Sequence, residues 1–232
     1  IANTGTQPLQ ISSIDVPAPF TTSFSGTIMP GDADSIAVYF GPTVAGDFQA
    51  TLTININGAF TGNNTIYLEG SAYTPYQSFN EDFEESGQMP ENWSQLQRSV
   101  SGNGQIYLYS SATYANSGNY SVYMYHYFED GDLLMLGTPG VSGYGENRLT
   151  FWARHSQQNE DRDIIVGTLT DIEDLDNFTP LDTFAVTYDY QRFLVNMSAS
   201  LTDPYMAIKH CKSGNYVQMW VDDVAWTPVP EE

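Results

Sequence analysis

Hydrophobic residues recur with a period of two along nearly the whole chain. Ile36, Val38 and Phe40 alternate with polar or small residues, and Phe48, Ala50, Leu52, Ile54 and Ile56 alternate with Gln, Thr and Asn. Successive side chains of an extended strand point to opposite faces, so this spacing predicts half-buried antiparallel strands. Turn residues interrupt the runs at Pro30-Gly31-Asp32, Gly41-Pro42, Asn57-Gly58 and Thr61-Gly62-Asn63, at the intervals of a small sandwich. No amphipathic helical pattern extends beyond two turns. Ala72-Tyr73-Thr74-Pro75-Tyr76 sets a proline between two β-rich blocks and reads as a short linker.

Composition narrows the class. The 232 residues are 41% hydrophobic and 14% aromatic, with 19 Gly, 12 Pro and 16 Tyr, enough for the cores of two sandwich-sized domains. Only 7 Lys+Arg face 28 Asp+Glu, a formal charge of −21. Such a surface repels nucleic acid and anionic lipid and attracts divalent cations. Cys211 is the single cysteine, so no internal disulfide forms and stability has to come from the core, a metal or neighbouring domains. No run approaches the ~20 apolar residues of a membrane span, so no membrane insertion is expected. Ile1 opens without a signal peptide, and the chain reads as a mature or excised piece of a larger exported protein.

The first block carries Asn3-Thr4-Gly5-Thr6, Pro8-Leu9-Gln10-Ile11, Ile28-Met29-Pro30-Gly31, Val38-Tyr39-Phe40-Gly41-Pro42, Gly46-Asp47-Phe48 and Leu68-Glu69-Gly70-Ser71-Ala72. In order and spacing these resemble the Hydin-type immunoglobulin-like domain, also met as the choice-of-anchor D repeat. The resemblance implies an immunoglobulin-like β-sandwich over residues 1–73. That family usually has one more strand ahead of the Asn-Thr-Gly turn, so an edge truncated there, or filled by a donated strand, is expected.

The second block, residues 77–228, carries Phe79-Asn80-Glu81-Asp82-Phe83-Glu84, Met89-Pro90-Glu91-Asn92-Trp93, Ser117-Gly118-Asn119-Tyr120-Ser121-Val122, Leu149-Thr150-Phe151-Trp152-Ala153 and Val221-Asp222-Asp223-Val224. It resembles the cleaved-adhesin or choice-of-anchor J family, related to MAM domains and to the adhesin modules of gingipains. The resemblance implies a jelly-roll β-sandwich in tandem with the first. It also implies a setting in large secreted or cell-surface proteins of Bacteroidetes-type bacteria. The lack of paired cysteines favours that bacterial branch over animal MAM domains.

Acidic residues at the two ends of this block suggest that its first and last strands lie side by side and share a cation. In an extended strand Asp82 and Glu84 project to one face and Phe83 to the other, so two oxygens converge while the ring enters the core. Strict alternation cannot bury both Val221 and Val224, so a bulge or strand end has to re-aim Asp222 or Asp223. Calcium takes about 6–8 oxygens, which these carboxylates and backbone carbonyls from Asn116 to Asn119 would supply, whereas Zn²⁺ prefers nitrogen and sulfur. The expected structural Ca²⁺ ligands are therefore Asp82, Glu84, Asn119, Asp222 and Asp223. The resemblance points to Glu84 and one of the two aspartates. The alternative is a set of solvated strand ends in a very acidic protein.

Other acidic runs read as surface features. Asp171-Ile172-Glu173-Asp174-Leu175-Asp176-Asn177 lacks the glycine and distal glutamate of an EF-hand and reads as a solvated loop, and Glu129-Asp130-Gly131-Asp132 reads as a turn. No zinc-protease, nucleophile-elbow or phosphate-loop motif occurs, and His126, His155 and His210 are scattered, so no catalytic residues are assigned. His210 and Cys211 are adjacent, on opposite faces of any strand, which leaves Cys211 as a structural core residue.

Tyrosines crowd the middle of the second block. Tyr123, Tyr125 and Tyr127 share one strand face, which is either a platform for sugar rings or a sheet surface filled by residues of high β-propensity. The expected function is non-catalytic adhesion or binding to an extracellular protein or glycan. On this reading the first module is a spacer beside neighbouring domains of the parent chain. A carbohydrate-binding accessory module of a secreted hydrolase and a self-assembling structural repeat are the alternatives.

Overall fold

The computed structural model of the protein describes residues 1–56, 62–99, 102–126, 133–157, 162–210 and 216–230. Asn57-Gly58, Thr61, Tyr127, Glu129-Asp130-Gly131-Asp132 and Cys211 lie outside the described residues. The chain divides into two units, Ile1–Thr74 and Pro75–Glu232.

The first unit holds β1 (Leu9–Asp15), β2 (Phe20–Thr22), β3 (Gly26–Ile28), β4 (Val38–Phe40), β5 (Gly46–Ile56) and β6 (Thr65–Ala72). One sheet runs β3-β1-β5-β6 and β2 pairs β4. The alternation along β5 turns Ala50, Leu52 and Ile54 inward, where Leu52 and Ile54 pack with Ile11 and Ile28. Asn3 is buried because its side chain closes the Asn-Thr-Gly turn: Nδ2 donates to the Gln7 and Ile28 carbonyls, and Oδ1 accepts from Gly5 N–H.

The Ile36 to Phe40 run departs from its expected burial. Only Val38–Phe40 is strand, and Val38 and Phe40 remain 38% and 37% exposed. Among the described residues its one strand partner is the three-residue β2, too short a ribbon to cover the larger sheet. Phe40 instead meets Phe20 and Phe48 at ring-centroid distances of 4.9 and 5.8 Å.

The second unit holds β7 (Phe79–Glu81), β8 (Ser94–Arg98), β9 (Gln105–Ser110), β10 (Tyr120–His126), β11 (Leu133–Gly137), β12 (Asn147–His155), β13 (Arg162–Leu169), β14 (Thr179–Val186), β15 (Gln191–Asn196), β16 (Tyr205–His210) and β17 (Val217–Pro228). A single 3-10 turn, Leu175–Asn177, is its only helical element among the described residues. Two sheets, β15-β12-β17-β10-β9 with β7 on β17, and β14-β13-β16-β11-β8, enclose one apolar core around Phe83, Phe151, Met124, Ile164, Met206 and Trp226. A second cluster, with Leu96, Met135 and Leu169, lies under the loop that carries Ile172 and Phe178.

β17 organises the corner where the acidic segments meet. Its first half pairs β10 and its second half pairs β7, so the first and last strands of the unit are neighbours. Between the two halves the ladder with β12 slips: Thr150 pairs Ala225, but Trp152 pairs Asp222. The extra residue bulges, with Asp223 at φ 47°, and this lets both Val221 and Val224 reach the core fully buried.

Candidate functional site

The chain after β7 does not continue as a strand. Phe83 adopts φ 61°, and its N–H donates to Glu81 Oε1 at 2.7 Å while Glu84 N–H donates to Asp82 Oδ1 at 3.2 Å. Asp82 and Glu84 therefore leave by a turn and not by alternation, although Phe83 still enters the core fully buried.

Glu84 reaches the loop between β9 and β10. Its Oε1 accepts the N–H groups of Asn119 and Tyr120 at 2.7 and 2.6 Å. From the other side Asp222 Oδ2 accepts the N–H groups of Asn116 and Ser117 at 2.7 and 3.2 Å. Asp223 accepts from Asn116 Nδ2 at 2.6 Å and from Ser117 Oγ at 2.8 Å. The loop thus presents donors to the acids, where carbonyls were expected, and the Asn119 carbonyl is taken by Ser111 N–H at 2.7 Å. Asp222 is fully buried; burial and the charge of Asp223 push its carboxyl up to about 7, against the loop N–H groups that pull it down.

A cleft of about 200 Å³ opens beside this loop, lined by Asn80, Glu81, Asp82, Asp223, Val224 and Ala225. Burial raises the Glu81 carboxyl, with Asp82 and Glu85 adding to the effect. The structure therefore brings Asp82 and Asp223 to one cleft, and Glu84, Asn119, Asp222 and Asp223 to one loop. Asn116 and Ser117, expected to offer carbonyls, meet the acids through N–H, amide and hydroxyl donors instead, and Glu81 joins the cleft unforeseen. The donor set is hard oxygen and none of these acids has a Lys or Arg partner among the described residues. Among those residues, however, no three His, Cys, Asp or Glu side chains converge closely enough to hold a metal ion.

The outer face of the same sheet is aromatic. β9 turns Ile106 inward and Tyr107 and Tyr109 outward; β10 turns Val122 and Met124 inward and Tyr123 and Tyr125 outward. Tyr107, Tyr123, Trp220 and Arg154 stand in one row across four strands. Tyr123 lies 5.1 Å from Tyr107, 5.6 Å from Tyr109 and 6.2 Å from Tyr125, ring to ring. Tyr123 is the floor, only 7% exposed, and burial lifts its phenol to about 12, while Tyr107 at 38% is the most open of the group. Tyr114 comes down from the loop and stacks on Trp220 at 4.5 Å, and the Arg154 guanidinium sits 4.8 to 5.8 Å from the rings of Tyr114, Tyr188, Tyr190 and Trp220.

The histidines are less scattered than their spacing suggests. His126, His155 and His210 are all buried, and His126, on one sheet, stacks on His210, on the other, with centroids 5.8 Å apart. His155 Nδ1 accepts the Gln157 N–H at 2.9 Å. In the acidic segment 171–177, Asp174 caps the 3-10 turn and Asp176 takes both terminal nitrogens of Arg98 at 2.8 Å, an exposed ion pair. No helix among the described residues is long and apolar enough to cross a membrane.

With both units in view, comparison with known proteins separates them. Residues 1–71 match the family model described as HYDIN/CFA65/VesB-like, Ig-like domain. Residues 1–71 are thus matched by sequence, whereas the solved structures match by shape. The K1 cleaved adhesin domain of Lys-gingipain from Porphyromonas gingivalis superposes with TM-score 0.54 at 19% identity, covering 67% of this chain and 100% of that domain. The K2 and K3 cleaved adhesin domains give 0.52 and 0.51 at 17% and 20% identity, covering 66% and 65% of this chain and 98% and 97% of theirs. At these identities the likeness is one of β-sandwich fold. No curated protein matches the chain.

Proposed function

We propose that this chain is a non-catalytic adhesion module of a larger secreted or cell-surface bacterial protein, with the Ig-like unit as spacer and the second unit as the binding element. The observation that carries this reading is the fold likeness to the K1 cleaved adhesin domain of Lys-gingipain, over 67% of this chain and the whole of that domain. Surface plasmon resonance of the 232-residue chain over immobilised extracellular-matrix proteins tests it. Saturable binding without turnover is expected; cleavage of a peptide or glycan by the purified chain would refute it.

A structural calcium ion belongs to the same proposal. Asp82, Glu84, Asp222 and Asp223, with Asn119, would close in from their present positions to hold it, and what supports it is a corner of acids without cationic partners among the described residues. The ion would supply positive charge that closes the junction between β7, β17 and the 116–120 loop. A ligand that binds only the folded state raises the melting temperature, so a chelator should lower the melting of the second unit, and added Ca²⁺ should restore it. The Glu84→Ala variant should lose that response. Identical melting with and without chelator would remove the metal and leave the adhesion reading standing.

A further inference from the structure

We propose that the outward surface of β9 and β10 is a binding face for a neutral glycan, with Tyr107 and Tyr125 as the stacking rings and Gln105 and Gln218 as the hydrogen-bonding amides. The inference rests on the reading of the second unit as a binding element and names the ligand class. Its basis is the composition of the face. Gln105, Tyr107, Tyr109, Tyr123, Tyr125 and Gln218 occupy it, with no carboxylate or cation among them, in a chain of net charge −21. The nearest cation in that row, Arg154, lies two strands from Tyr123 and is engaged by the rings of Tyr114, Tyr188, Tyr190 and Trp220. Among the described residues the β9 and β10 patch itself is therefore uncharged, which in so acidic a protein suits an uncharged ligand, and the surrounding acids disfavour polyanions.

The side-chain chemistry narrows the ligand further. The aliphatic residues of these strands, Ile106, Leu108, Val122 and Met124, all pack toward the core, so the face has no aliphatic groove for the apolar side of a helix. It offers ring faces, phenol hydroxyls and amides, which match a sugar's C–H faces and hydroxyls. Tyr125 pairs across the sheet with Gln105 on one side and Gln218 on the other, so an amide stands on each flank of that ring.

The platform is also held in place before any ligand arrives. Tyr123 lies beneath the others, nearly parallel to Tyr125 at 12°, and Gln218 Nε2 donates to its hydroxyl at 3.0 Å. Rings fixed by neighbours lose little conformational freedom on binding, so more of the stacking energy appears as affinity.

The test is affinity electrophoresis and calorimetry of the intact chain against xylan, mannan and β-glucan, with polygalacturonate as the polyanion. Retardation by at least one neutral polysaccharide is expected. Tyr107→Ala and Tyr125→Ala should each weaken it about tenfold with unchanged melting temperature. Tyr107→Phe should keep most of the affinity and report the stacking share. No retardation by any neutral polysaccharide, stronger binding to polygalacturonate, or binding indifferent to both alanine variants would overturn the proposal. So would concentration-dependent dimerisation abolished by Tyr107→Ala, which would assign the face to a second copy of the chain. Failure here leaves protein adhesion intact, whereas polysaccharide bound and then cleaved would keep the face and refute the non-catalytic reading.

Discussion

The Glu84 carboxylate fills the space where a side chain on Gly118 would begin: a methyl group there would stand 2.3 Å from Glu84 Cδ. Gly118 also has φ 58°, in the left-handed region that costs other residues about 1–2 kcal/mol. Gly118→Ala therefore meets two obstacles at once, backbone strain and displacement of the carboxylate that holds Asn119 and Tyr120 N–H. A loss of about 2–4 kcal/mol in the stability of the second unit is expected by urea denaturation. The same substitution in a Glu84→Ala background should cost less, because the collision is gone and only the strain remains. Equal costs in both backgrounds would mean that Glu84 does not occupy this position in solution.

Asp222 gives a second expectation. It is fully buried and accepts N–H groups from Asn116, Ser117 and, through Oδ1 at 2.8 Å, Asp223. Asp222→Ala strands those donors inside the protein, at about 1–3 kcal/mol for each that stays unsatisfied. Asp222→Asn retains an acceptor and sheds the buried charge, so it should be the milder change. Thermal unfolding of the two variants at neutral pH checks the order, and an alanine variant as stable as the asparagine variant would contradict it.

How much of this was legible in the sequence depends on what each feature required. The inward set of β5 follows from period-two spacing alone, since Ala50, Leu52 and Ile54 need only a strand to share a face. The bulge in β17 was legible too, because Val221 and Val224 have opposite parity and both have to be buried. The positive φ of Phe83 was not: aromatic residues rarely adopt it, and it is imposed by the Glu81 and Asp82 side chains bonding to the backbone just ahead of them. The donors that meet Glu84 and Asp222 are backbone N–H groups, which every residue except proline possesses, so residue type could not reveal them. The stacking of His126 on His210 depends on which strands face each other across the sandwich, information that periodicity does not contain.

The core makes a third prediction. Trp226 is fully buried, packs edge-on to Tyr144 with centroids 5.6 Å apart, and donates its indole N–H to the Ser142 carbonyl at 2.9 Å. Trp226→Phe keeps most of the apolar volume and loses the hydrogen bond, while Trp226→Ala opens a cavity. Costs of about 1–2 and 3–5 kcal/mol are expected in chemical denaturation. Both variants should act on the second unit alone, leaving the melting of the Ig-like unit unchanged.

The tyrosines set the behaviour at high pH. Burial raises the phenol of Tyr123 to about 12, and burial likewise raises Tyr144 and Tyr190. For an acid whose folded pKa lies above its unfolded value, the unfolded chain releases its proton first as pH rises. Stability is therefore complete below about pH 10, the ordinary tyrosine value, and is lost as pH climbs from there toward 12. Urea midpoints measured at pH 9, 10 and 11 should hold steady and then fall. Tyr123→Phe should make that fall shallower, because it removes one of the groups responsible. A midpoint that rises across this interval, or a slope untouched by Tyr123→Phe, would show that the ring is open to solvent and not the buried floor of the aromatic face.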